Sequence, residues 1–446
     1  MVLRIQKNKE NRIFKVYLVA MFVLMIARYL FKINVPAVAF LAVTLLPAWF
    51  GSKSEQLAMV ASFIPLSVAF QYKYALLILS AAILVRNRWK MNRSGAFLIV
   101  MIMAIWEWWH AFYGRFSYVE YLRDFAELIL LGVVVSIDLY DIDYKTVIRS
   151  LSWSVVGVCM IMLIMQLRQF DYDIIAVFAR SAHNFRFGQG NMESGLYALN
   201  FNANNLGFIC NLSTCGVLLL ATRKEHNRWD IIMVACSAVF SLMTLSRAAI
   251  LSLVIIFVAY LFMSEGKVLQ RIVSGIGAIV IAVIAIVLVW IYVPAIFDNI
   301  LERFQRADVS NGRTKLLVYY SQFLLSSPAY FLGGIGMQHI FEKVSPYYPV
   351  HDVPHMGLQE VWVAWGLIGV FIVLFLFWKI VTTSREYAQG RRLAYQFMPL
   401  GLTLIFSMSG QLLTSSRTLM ALAVAYVCLC ITNKDKNIGE QAMEVV

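Results

Sequence analysis

Residues 229–263 read WDIIMVACSAVFSLMTLSRAAILSLVIIFVAYLFM, two apolar runs joined at Thr244-Leu245-Ser246-Arg247. A helix crosses the hydrocarbon core with about 20 apolar residues, so each run reads as a span and the joint as a hairpin tip. A guanidinium keeps its charge and is costly beside hydrocarbon, so an arginine here marks an intramembrane functional site that favours an anionic partner. The pattern recurs at 412–423, LLTSSRTLMALA, around Arg417. The competing reading for both is a side chain that snorkels to headgroup phosphate or closes a helix C-terminus.

The rest of the chain has the same character. Of its 446 residues 61% are hydrophobic and 14% charged, against about a quarter charged in soluble domains, and its mean hydropathy is +0.72. The chain therefore reads as an all-α, polytopic integral membrane protein. Spans are expected near 13–31, 35–50, 55–70, 72–86, 95–112, 125–139, 146–168, 196–221, 229–245, 248–263, 272–293, 357–378, 396–412 and 417–432, 14 in all. The second to fourth are short and carry Pro36, Pro47 and Pro65, which keeps a count of 12 open.

The net charge of +13 does not point to nucleic acid, because the basic residues fall in short loops between spans. The loops around Arg86, Arg88, Lys90 and Arg93, around Arg223, Lys224 and Arg228, and around Arg385, Arg391 and Arg392 all face the cytoplasm under one topology. In it both termini are cytoplasmic, and the first span, which follows Arg4, Lys7, Lys9, Arg12 and Lys15, stays as a signal anchor. The outer side then holds the Arg247 and Arg417 tips, a middle loop over 169–195, a long loop over 294–355, and an aromatic belt at Trp106, Trp108, Trp109 and Tyr113.

This reading divides the chain into N-terminal spans (1–195), central spans (196–293), a large extracytoplasmic loop (294–356), C-terminal spans (357–432) and a cytoplasmic tail (433–446). Inside the long loop, TKLLVYYSQFLL at 314–325 has helical apolar spacing and stops at Ser326-Ser327-Pro328, which predicts an amphipathic helix acting as a lid. Cys159, Cys210, Cys215, Cys236, Cys428 and Cys430 lie in or beside spans and read as small core residues, not as disulfides or zinc ligands.

Arg313 stands just before the lid helix and His355 closes the loop, so folding the loop back brings both toward Arg247 and Arg417. Arginine's planar fork suits phosphate oxygens, and imidazole takes a proton near neutral pH. His351 and His355 have zinc-ligand spacing, but Pro349 and Pro354 oppose a helix through both, and no metal or cofactor is expected. Gly333, Gly334 and Gly336 read as turn glycines, since no Lys-Ser or Lys-Thr follows them. Glu107, His110, Glu120, Arg123 and Asp124 could belong to a first-loop carboxylate site, but a local pairing of Glu120 with Arg123 or Asp124 is the first reading.

In this order the motifs resemble the bacterial O-antigen ligase and O-antigen or capsular polysaccharide polymerase family. The resemblance runs from about 186 to 369. It is carried by Thr244-Leu245-Ser246-Arg247, Gly312-Arg313, Ser327-Pro328, Leu332-Gly333-Gly334-Ile335-Gly336, and the spacing from His355 to Gly366-Leu367-Ile368-Gly369. His183-Asn184-Phe185-Arg186-Phe187-Gly188 and Asn202, Asn204 and Asn205 add a looser match that suits sugar hydroxyls. The family usually has Asn after this His, where Met356 stands here, and His351 therefore remains a competitor for the base.

The resemblance implies a GT-C-like glycosyltransferase of the cytoplasmic membrane with its active site on the extracytoplasmic face. The implied donor is an undecaprenyl-pyrophosphate-linked glycan, and the implied acceptor is a lipid-linked repeat unit. His355 would be the base, Arg313 and Arg247 catalytic, and Arg186 substrate-binding, without metal; Arg417, by its position at a hairpin tip, and His351, the competitor for the base, are added as substrate-binding. A flippase and a chain-length regulator of the same pathway are the implied partners beside the bilayer. Two rivals stay open: an O-antigen ligase that passes the glycan to lipid A core, and a transporter of lipid-linked oligosaccharide.

Overall fold

A computed structural model describes residues 12–67, 72–86, 91–92, 94–113, 117–140, 142–173, 187, 199, 201–263, 287, 290–291, 294, 312–350, 352–387, 394–413 and 417–431. Among these every regular element is helical. The helices are α1 (Arg12–Met25, continued by a π turn Ile26–Leu30), α2 (Ala37–Phe50), α3 (Lys53–Leu66), α4 (Tyr72–Arg86), α5 (Ala96–Trp109) and α6 (Tyr118–Ser136). Then come α7 (Tyr144–Gln169), α8 (Ala203–Thr222), α9 (Arg228–Met243), α10 (Arg247–Met263), α11 (Arg313–Leu325), α12 (Pro328–Gly333) and α13 (Ile340–Val344). The last three are α14 (Gly357–Tyr387), α15 (Met398–Ser409) and α16 (Thr418–Leu429).

Four of these, Arg12–Leu30, α7, α8 and α14, are long and apolar enough to cross a membrane by length and composition. The expected span 272–293, the loop 169–195 and the tail 433–446 lie wholly or mostly outside the described residues. The predicted lid is a helix: α11 covers 313–325 and buries Leu316, Tyr320, Phe323 and Leu324 along one face. Residues 352–356 are not helical, as Pro354 requires. Five of the six cysteines are buried, with Cys159 and Cys210 at 3.9 Å.

The chain forms two compact units, each discontinuous in sequence: 1–79 with 145–316, and 80–144 with 317–446. In the first unit, α8 is buried on nearly all sides, and its small residues explain how. A side-chain carbon at Gly207 would lie 2.4 Å from the Ala249 methyl, so α8 and α10 pack at a distance only glycine allows. Buried hydroxyls are satisfied between helices, Ser213 bonding both Ser152 and Ser237 at 3.0 Å. At the start of α9, Asn227 and Asp230 form a capping box, and Asp230 takes Arg149 of α7 at 2.8 Å.

In the second unit α14 is broken at Gly366, where φ is +67°. A break in an apolar helix strands backbone groups that lipid cannot satisfy. Here the glycine loop after α12 satisfies them, as Ile335 N–H donates to Val363 O at 2.9 Å and Gly336 N–H to Ala364 O at 2.7 Å. Trp106 donates its indole N–H to Trp365 O, and Trp362 donates its own to Phe331 O.

Glu107 of α5, only 1% exposed, accepts from Met337 N–H at 2.9 Å and from the Trp365 indole at 2.7 Å. Lys343 donates to Ile335 O at 2.6 Å and lies near enough for its charge to act on Glu107. Glu107 thus belongs to no local ion pair on α5 or α6. It pins a loop distant in sequence against the break in α14.

The approach is tight enough to predict a lesion. A methyl at Gly366 would sit 2.1 Å from Leu332 O, and one at Gly334 would sit 2.5 Å from three backbone atoms of 364–366, both at positive φ. Gly366→Ala is therefore expected to destabilise the protein by at least about 2–3 kcal/mol, because neither backbone yields. Wild-type yield of monodisperse Gly366→Ala protein with an unchanged thermal midpoint would contradict this.

Candidate functional site

The turn that presents Arg247 is built by α8. Leu245 takes a left-handed conformation (φ 49°), which reverses the chain between α9 and α10. Ser246 Oγ donates to Asn204 Oδ1 at 2.8 Å, Ser241 Oγ to Asn211 Oδ1 at 2.7 Å, and Asn211 Nδ2 to Ala249 O at 2.7 Å. Asn202 caps α8 by accepting from Asn204 N–H. Asn202 and Asn204, expected to face sugar hydroxyls, thus serve the helix start and the arginine turn.

Arg247 is the first residue of α10, Arg313 the first of α11 after Gly312 at φ 80°, and Arg417 caps the start of α16. All three open helices, so the helix C-cap reading does not apply to Arg247 or Arg417. A cation at a helix N-terminus opposes the macrodipole, whereas an anion there is favoured by both the dipole and the guanidinium.

Arg247 and Arg313 lie in the same compact unit. Burial, and after it the positive charge of Arg247, push the Arg313 guanidinium below its ordinary value. An arginine does not lose its proton in a protein, so the direction marks a cation that is partly desolvated and, second to that, near another cation, and an anion would relieve both. Two half-buried guanidiniums at two helix starts match a phosphate or pyrophosphate in charge.

His355 lies in the second unit with its Nε2 2.9 Å from Asp352 Oδ2. That bond places the Nε2 proton toward the carboxylate in the neutral ring and leaves the Nδ1 lone pair to accept a proton. A carboxylate so placed orients the ring and stabilises the imidazolium when it forms. The Tyr320 hydroxyl of α11 donates to Asp352 O at 2.9 Å, so the predicted lid helix grips the histidine-bearing loop. Burial, and then the nearby Asp352 and Glu342 charges, push the Tyr320 phenol up, which keeps it a neutral donor.

A cavity of about 390 Å³ opens between α11 and α14, with Met356, the residue after His355, in its wall. Its wall is nearly all apolar, from Leu317, Phe331, Met356, Leu358, Trp362, Leu367 and Val370, with Ser321 and Gln359 as the polar exceptions. Gln359 is buried and donates to Leu317 O at 2.7 Å. Arg186 and His351 lie outside the described residues.

The sequence reading missed Asp352 and Glu360, and noted Glu107 without its distant partners. Glu107 and Glu360 carried a signal, because an ionisable residue inside an apolar span marks function or a buried partner by default. Glu360 is fully buried in the first turn of α14. Asp352 gave none, because a dyad across Pro354 depends on how the loop bends.

No curated protein matches the chain. Residues 232–374 match the family model described as O-antigen ligase, a segment that contains Arg247, Arg313 and His355 and leaves out Arg186 and Arg417. Over this segment, less than half of the chain, the protein is similar to the O-antigen ligase family, and its described helices are apolar and of membrane type.

Proposed function

We propose that the protein is a polysaccharide polymerase at the outer face of the bacterial cytoplasmic membrane. It moves a glycan from undecaprenyl pyrophosphate onto a lipid-linked repeat unit. The observation that carries this reading is that Arg247 and Arg313 open two helices in one compact unit and inside the family-matched segment. Their forks bind the pyrophosphate and stabilise charge as the glycosidic C–O bond breaks. His355, oriented by Asp352, takes the proton of the acceptor hydroxyl at Nδ1 as that oxygen attacks from the face opposite the leaving group, inverting the anomeric centre.

The apolar cavity that Met356 lines accommodates part of an isoprenoid chain, and α11 closes over the substrates as a lid. Arg186, Arg417 and His351 belong to substrate binding, and the mechanism needs no metal. Twelve to 14 spans with one large outer loop, arranged in the manner of GT-C enzymes, hold these parts. Chain division into N-terminal, central and C-terminal spans follows from the same topology, as do cytoplasmic termini, and a flippase and a chain-length regulator are the natural neighbours.

The similarity to O-antigen ligases favours a second reading, a ligase that uses the same donor and a lipid A core acceptor. Purified protein supplied with lipid-linked repeat units, with or without lipid A core, separates the readings. Longer chains with released lipid pyrophosphate support the polymerase, and core-linked glycan supports the ligase. Movement of lipid-linked units between leaflets without new bonds would make it a transporter. Arg247→Ala and Arg313→Ala are each expected to lower kcat about 10²-fold, as for loss of one oxyanion donor. Lysine at either position restores little, since it cannot supply the bidentate fork.

A further inference from the structure

One turn of α14, Gly357–Glu360, touches three other segments of its unit. Gly357 has no room for a side chain, with Ser407 O at 2.8 Å and the Leu412 side chain at 2.9 Å from a built carbon. Gln359 bonds Leu317 O and, at 3.3 Å, Ser321 Oγ of α11. Glu360 places one oxygen, Oε2, 2.6 Å from Leu412 N and 2.8 Å from Leu413 N.

An acidic residue in a first turn normally needs only the helix dipole and solvent. Glu360 is 0% exposed, and a carboxylate there is tolerated only with strong donors. Two consecutive peptide N–H groups from a distant segment supply them as short, charge-assisted bonds.

Both ends of this clamp lead to candidate site residues. Upstream, Glu360 N–H donates to Met356 O, the residue after His355. Downstream, Thr418 Oγ1 donates to Gln411 O at 3.1 Å, which closes the tip that carries Arg417 on the same segment that Glu360 grips.

We propose that Glu360 is a positioning residue that couples the Arg417 tip to the His355 loop, so that proton acceptor and tip arginine keep one fixed separation. The inference rests on the reading of His355 and Arg417 as parts of the transferase site. It assigns Arg417 a dependence on Glu360 that the tip alone does not have.

The test uses full-length protein in lipid nanodiscs, read by hydrogen exchange and by kinetics. In Glu360→Ala, amides at 411–413 and at 352–358 are both expected to lose protection, by about tenfold or more. The kcat is expected to fall about 10²-fold with little change in KM, as misplacement by about 1 Å does. Glu360→Gln, which keeps an acceptor, recovers most of both. Arg417→Ala adds little to Glu360→Ala, because the two act through one tip.

Loosening of only one segment, or multiplicative losses in the double variant, overturns the coupling. If Glu360→Ala does not fold, Glu360→Gln carries the test through the same two segments, where partial loosening of both supports the coupling and loosening of one overturns it. A wild type that transfers no glycan, while both segments loosen together, refutes the transferase reading and leaves the coupling in place.

Discussion

His355→Ala is expected to lower the kcat of glycan transfer about 10²–10⁴-fold, the usual contribution of a general base. A hydroxyl is a poor nucleophile until its proton has somewhere to go, and the imidazole supplies that place as the oxygen attacks. Because the ring acts in the transition state and not in ground-state binding, KM should hardly change. Asp352→Asn tests the orientation supplied at 2.9 Å. The amide keeps the shape and can still accept from Nε2, but no longer stabilises the imidazolium, so a smaller loss of kcat should follow. Phosphate-analogue binding through Arg247 and Arg313 should survive both changes. Steady-state elongation with lipid-linked units checks the series, and a His355→Ala enzyme that elongates at the wild-type rate would remove this histidine from the mechanism and return His351 to consideration.

The largest loss of stability is expected at Glu107. Glu107→Ala removes the acceptor of Met337 N–H and of the Trp365 indole in a site only 1% exposed. Each hydrogen bond to a charged acceptor is worth about 1.5–3 kcal/mol, and a buried donor left unmet carries a further penalty. The combined cost is about 3–5 kcal/mol, comparable to breaking a buried ion pair. The loss should appear where the glycine loop docks on α14, with amides of 333–338 exchanging faster than the rest of the unit. Glu107→Gln retains an acceptor for both donors and should recover more than half. Denaturant titration in micelles gives the comparison; a Glu107→Ala midpoint indistinguishable from wild type would mean that the loop is held by its backbone bonds to Val363 and Ala364 alone.

Thirteen of the described helices fall in hydropathy windows of the sequence, because a membrane imposes a length and a composition that soluble folds do not. The amphipathic helix over 313–325 was equally legible, since its buried positions recur every three or four residues and a Ser-Pro turn ends it. The glycines of the Leu332-Gly333-Gly334-Ile335-Gly336 motif were legible as turns, but their docking partner was not. Which backbone Gly334 must approach depends on a break in α14 that Gly366 permits and does not by itself require.

Composition and the placement of charge were sufficient to read an apolar helical membrane protein and to single out Arg247, Arg313 and His355, since those signals are local in the chain. The tertiary structure alone decided that all three arginines open helices, that Arg313 feels Arg247, and that His355 is backed by Asp352 and Tyr320. It also turned Glu107 and Glu360 from surplus charges into braces across segments far apart in sequence. Periodicity reports which face of one helix is apolar. A buried carboxylate is explained by the N–H groups that reach it, and those come from elsewhere in the fold.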